Sequence, residues 1–257
     1  MNGDNFYIGA YWAGRAESSE RCAERSAHML EGLASASDQY SHWYIQGSSR
    51  AGALREKIML GDADALRDRF VASRRVGDTD TVGYRLSAWN GRDPGVSLSV
   101  LCGAVPRTPH VLNTAVLTLG AEDDAPELLR PDVAEATLRA LVDAWTPDWA
   151  TVSSYAVRKA QAAPPRSPVL GWMTVVRRTT RVADLPVEGE YSVLRLPGGP
   201  TSVTADAVTT AREVHGSGSA FRVRAGGLKR SRPALQALYA FSGVFAVDGL
   251  VLGFFWL

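Results

Sequence analysis

The chain has 257 residues, enough to bury a core of ordinary size as one large domain or two small ones. It is 46% hydrophobic and 21% charged, as soluble globular proteins are, and a formal net charge of +1 excludes any global electrostatic case for binding nucleic acid or an acidic partner. Its two cysteines, Cys22 and Cys102, make no disulfide framework and fit a reducing compartment, a single chance bridge between them staying open.

Residues 5–12 read as a strand, with Phe6, Tyr7, Ile8, Tyr11 and Trp12 supplying β-favouring bulk. A helix comes next, from Glu17 to about Ala36. Cys22, Ser26, Met29, Leu30 and Leu33 fall on one stripe of it, and Glu17 and Glu20 suit its positive end. A short helix is expected over 49–60, and a third from a cap at Asp62, with Leu66 packed against Phe70. The period then changes. TVGYRLSAWNG, PGVSLSVLCGAV and HVLNTAVLTLG are β-rich runs too closely spaced for βαβ crossovers, which predicts an antiparallel meander. In PELLRPDVAEATLRALVDAW, residues Leu129, Val133, Leu138, Leu141, Val142 and Trp145 recur at helical spacing, Pro131 fits the first turn and Pro147 ends the helix. AAPPRSP breaks any helix before it, VLGWMTVVRR and EYSVLRL read as strands, PGGP as a turn and 205–215 as a short helix. The sum is an α+β fold, a mainly antiparallel central sheet flanked by helices, over residues 1–215.

The order strand, glycine turn, helix in AYWAGRAE is how phosphate cradles are built, but Gly9 and Gly14 match neither the dinucleotide fingerprint nor the P-loop. The turn is read as structural. His28, His42, His110 and His215 lie more than ten residues apart, and neither cysteine has a partner at ligand spacing, so no metal or cofactor is expected. The acids at 78–80 and 122–124 lack the glycine and terminal glutamate of a calcium loop. GSGS at 216–219 comes after no strand and makes no nucleophile elbow, which leaves no catalytic constellation. Charge is nevertheless uneven. Six acids (Glu122, Asp123, Asp124, Glu127, Asp132 and Glu135) face one base, Arg130, between positions 122 and 135, while 221–232 holds five bases and no acid. The acidic run is the candidate patch for a basic partner, where steering speeds encounter. Of seven tryptophans, any exposed one would be an interface anchor.

Five segments stand in order between about residues 5 and 215: YIGAYWAGRAESSERCAER, HWYIQGSSRAGAL, LSAWNG, AWTPDWATVSS and VLGWMTVV. Together they resemble the immunity protein 52 family of bacterial polymorphic toxin systems. The resemblance implies an α+β cytoplasmic protein, encoded beside a contact-delivered toxin, that protects the producer by binding that toxin without catalysis. It also implies that the partner is a nuclease toxin, similar to a restriction-endonuclease-fold DNase domain, and that nucleic acid itself is not bound. The matching positions are Tyr11, Trp12, Arg15, Glu17, Trp43, Trp89, Gly91, Trp145, Pro147, Asp148, Gly171 and Trp172, expected to be fold signatures rather than a catalytic set. For such a partner, the 122–135 acids would stand where phosphates bind.

Residues 216–257 depart from the family pattern: a basic segment leads into ALQALYAFSGVFAVDGLVLGFFWL, whose single charge is Asp248. Three readings stay open: a membrane helix flanked by Lys229, Arg230 and Arg232, a hairpin turning at Asp248–Gly249, or an extension with no fold of its own. Two alternatives accompany the antitoxin reading. One is a small hydrolase with a site assembled from distant residues; the other is an interaction module tethered to the membrane through 234–257.

Overall fold

A computed structural model describes residues 4–47, 49–74, 82–105, 113–124, 126–162, 167–177, 187–188, 191–204 and 207–208. The acids at 78–80, the tail at 216–257 and most of the helix expected over 205–215 lie outside these residues.

The opening strand is central. β1 (Asn5–Trp12) pairs on one side with β6 (Asn113–Ala121) and on the other with β7 (Trp149–Ser154). Beyond β6 lie β5 (Ser97–Cys102), β4 (Tyr84–Trp89), β2 (Trp43–Ile45) and β3 (Lys57–Ile58). Beyond β7 lie β8 (Met173–Arg177), β10 (Tyr191–Arg195) and β9 (Val187–Glu188). Among the described residues this is one ten-stranded sheet with every pairing antiparallel. The expected meander is β4–β5–β6, and the α+β class holds.

Strand alternation sets the layers. Phe6, Ile8, Ala10 and Trp12 of β1 join Leu98, Val100, Ala115 and Leu117 in the main core. The residues between them, Tyr7 and Tyr11, point to the outer face and pack with Trp149 and Val176. Three helices cover the inner face. α1 (Ser19–Ala36) is capped by Ser18, whose hydroxyl accepts from the Arg21 amide, and it buries the predicted stripe of Cys22, Ser26, Met29, Leu30 and Leu33. It packs against α3 (Ala63–Ala72), capped by Asp62, and against α4 (Pro131–Trp145), which has Pro131 in its first turn and lies on β1 and β7. A fifth helix, α5 (Tyr155–Ala160), packs against β1 and β7.

Two expectations are corrected. The helix over 49–60 shrinks to α2 (Arg50–Ala53), because Ile58 and Lys57 pair with Trp43 and Tyr44 at the sheet edge and draw the segment into the ladder. Glu17 lies outside α1, before its cap, and pairs with arginines at the end of α4 instead.

Candidate partner-binding site

Several of the signature positions meet at one junction. α4 ends at Trp145, and Thr146 turns the chain with φ +46°, leaving the last carbonyls without helical partners. Arg15 donates from Nη2 to the Trp145 carbonyl (2.9 Å) and Arg25 from Nη1 to that of Ala144 (2.6 Å). Between the two guanidiniums sits the Glu17 carboxylate, 2.7 Å from Arg25 Nε and 3.1 Å from Arg15 Nε. The Arg15 contact is an ion pair whose angle completes no hydrogen bond. Two cations thus face the negative end of α4, held by an acid whose side chain is only 7% exposed. Arg15 also lies 5.5 Å from the centre of the Trp12 ring, which stacks on Trp145 at 5.0 Å. Asp148 closes the junction by accepting from the Ala13 amide at 2.8 Å.

The remaining signatures fit close contacts elsewhere. Tyr11 lies across Gly9, where a Cβ would strike its ring, and stacks on Trp149 at 4.0 Å. That is why a glycine stands in YIGAYW. Gly171 abuts the Val152 carbonyl, Trp172 donates to the Gly198 carbonyl at 3.0 Å, and Trp43 stacks on Tyr40 at 6.0 Å. Gly91, with φ +78°, sits against the Tyr44 ring in the turn after Trp89.

The six acids do not form one cluster. Glu122, Asp123 and Asp124 share an exposed turn directly after β6, where Asp124 accepts from the Ala121 amide. Asp124 and Glu127 line a shallow cleft of about 330 Å³ with Asp93, Arg92 and Gln39, and Glu127 accepts from Gln39 at 2.6 Å. Asp132 is paired with Arg130, and Glu135 with both Arg139 and Arg195.

The structure also sorts the tryptophans. Trp12, Trp43, Trp145, Trp149 and Trp172 are buried, Trp256 lies outside the described residues, and Trp89 is half-buried beneath the Arg50 guanidinium at 5.4 Å.

On the outer face Arg158 of α5 stands 5.7 Å from the centre of the Tyr7 ring, and Tyr155 lies 5.0 Å from the same ring. The Tyr11 phenol beside the guanidinium is the chief cause of a raised Arg158 pKa, opposed by burial and aided by Tyr7 and Tyr155. Burial raises the Tyr7 and Tyr11 hydroxyls in turn, and neither completes a hydrogen bond. Neither Tyr155 nor Arg158 stands out in the sequence. Only the pairing of β1 with β7 brings them to Tyr7, and no local pattern encodes that.

Cys22 and Cys102 are neighbouring, buried and free, and burial first, then Cys22, pushes the Cys102 thiol well above its usual range. His28 and His42 are exposed, and no group of three or more metal-ligating side chains occurs among the described residues. No described helix is long and apolar enough to cross a membrane.

The fold and these surfaces define an α+β protein whose ionic side chains mostly brace junctions or line open surface. The chain belongs to the Immunity protein 52 family, which matches residues 4–211. Among solved structures it is similar to the Pseudomonas aeruginosa T6SS protein PA0821, with 10% sequence identity, a TM-score of 0.44, and coverage of 91% of this chain and 81% of that one. No curated protein matches it by sequence.

Proposed function

We propose that this protein binds a cognate toxin and neutralises it by occupying the toxin's surface, without chemistry of its own. Membership of the immunity family over residues 4–211 carries this reading. The finer proposal is that the toxin is a DNase met in the cytoplasm. A nuclease must present basic side chains to phosphates, and the exposed acids Glu122, Asp123 and Asp124, with Glu127 in the adjoining cleft, offer such side chains an alternative partner. Asp132 and Glu135 contribute less, since each is already neutralised by arginine.

Co-expression tests it. Cells producing the active toxin domain encoded beside this protein should stop growing and lose intact chromosomal DNA, and full-length protein should restore both. Failure to restore growth while the protein accumulates in soluble form would refute the reading. Restored growth after damage to a target other than DNA would refute only the nuclease assignment.

A further inference from the structure

We propose that the outer face of the sheet between Trp89 and Arg158 is the surface on which the toxin docks, with Arg158 receiving a carboxylate from the toxin. The inference rests on the immunity reading and adds to it a place and a chemistry.

Register lays out the surface. Trp89 pairs with Ser97, Ser97 with Thr118 and Thr118 with Tyr7, so the two ends of this row stand about 14 Å apart at normal strand spacing. The next row toward the sheet interior runs Ser87, Ser99, Val116, Gly9. Between Trp89 and Arg158 the floor therefore carries short hydroxyl side chains, most of them half-exposed. Freezing such side chains costs little entropy on association. Serine, tyrosine, tryptophan and arginine together are also the chemistry of adaptable protein recognition. Tyr155 is fixed over this floor, its hydroxyl 3.4 Å from that of Thr118.

Arg158 supplies the directional element. It is half-buried among tyrosine rings, and among the described residues no carboxylate lies within ion-pair distance of it. Six arginines differ: Arg15, Arg25, Arg50, Arg67, Arg69 and Arg130 each hold a carboxylate at 2.7–3.1 Å, while Arg92 bonds a main-chain carbonyl. A partly desolvated cation without a counterion is complementary to an acidic side chain brought by a partner. The acidic turn at 122–124 leaves the same end of β6 as Thr118, so basic side chains surrounding that acid on the toxin would also find partners.

The test measures binding of full-length protein to catalytically inactivated toxin domain. Arg158→Glu should weaken binding about 100-fold, while Lys159→Glu, one exposed residue further along α5, should change it less than about 3-fold. Because Arg158 packs on Tyr7, thermal melting accompanies each variant. Ser99→Arg provides a second probe on the same face and should weaken binding at least about 10-fold with the fold intact. Exchange of one toxin aspartate or glutamate for arginine should restore binding to Arg158→Glu. Wild-type strength in both Arg158→Glu and Ser99→Arg would overturn the inference and leave the immunity reading standing. Absence of wild-type binding would overturn both. Loss of self-association in place of toxin binding, seen by sedimentation, would assign the face to a second copy of this chain and overturn the inference.

Discussion

Replacing Glu17 by alanine is expected to lower the unfolding free energy by about 3–5 kcal/mol, the range found when one member of a buried ion pair is removed. The reason is local. Glu17 has a 7% exposed side chain and neutralises Arg15 and Arg25, whose side chains are 29% and 18% exposed. Without it two like charges are left facing each other at the end of α4, and the carbonyls of Ala144 and Trp145 lose the orientation of their donors. Glu24→Ala is the control. Its partner Arg21 is 57% exposed, and the pair contributes at most about 1 kcal/mol. Urea unfolding followed by tryptophan fluorescence compares the two. A loss below about 1 kcal/mol for Glu17→Ala would show that water replaces the carboxylate at little cost and that the junction is not a determinant of stability.

Trp145→Ala should cost a similar amount, about 3–5 kcal/mol, by leaving a cavity the fold cannot collapse. Trp145 is fully buried, stacks on Trp12 at 5.0 Å, and donates from Nε1 to Met29 Sδ at 3.1 Å. Trp145→Phe keeps an aromatic surface for Trp12 and should retain most of the stability. Glu17→Ala and Trp145→Ala act on one junction through Arg15, which pairs with Glu17 and lies over the Trp12 ring that Trp145 stacks on, so the double variant should lose measurably less than the sum of the two. Strict additivity in the same urea series would mean that the ion cluster and the stacked tryptophans stabilise the fold independently.

Elements that bury a single face are legible in the sequence by their period, and β1, buried almost throughout, is legible by its aromatic and β-branched bulk. β5 and β6 alternate because their outer side chains are not fully covered, so SLSVLC and NTAVLTLGA show period two plainly. α1 and α4 each carry a single buried stripe, and Pro131 marks the start of α4, whereas the Ser18 cap of α1 emerges only in the fold. β7 was illegible. Every residue of WATVSS is buried, so nothing alternates, and Pro147 beside it suggested only an ending. Its place beside β1 nevertheless decides where Arg158 stands.

The acidic run is legible as composition but not as arrangement. Six acids close in sequence suggested one patch, but helix geometry turns Glu135 toward Arg139 and, through the fold, toward Arg195. The turn keeps Glu122, Asp123 and Asp124 together because it is too short to separate them. Glu17 looked like a residue favouring the start of a helix; that it binds two arginines, one of them from the helix after it, needed the path of the loop at 13–18.

Calorimetric titration of the full-length protein with the inactivated domain of the proposed cognate toxin is the most direct test of immunity by association. Immunity by this route predicts a saturable complex with a dissociation constant on the order of 1 nM or tighter, the range expected for a stable, specific protein pair. No binding at concentrations on the order of 10 μM, by a sample whose melting shows it to be folded, would contradict it.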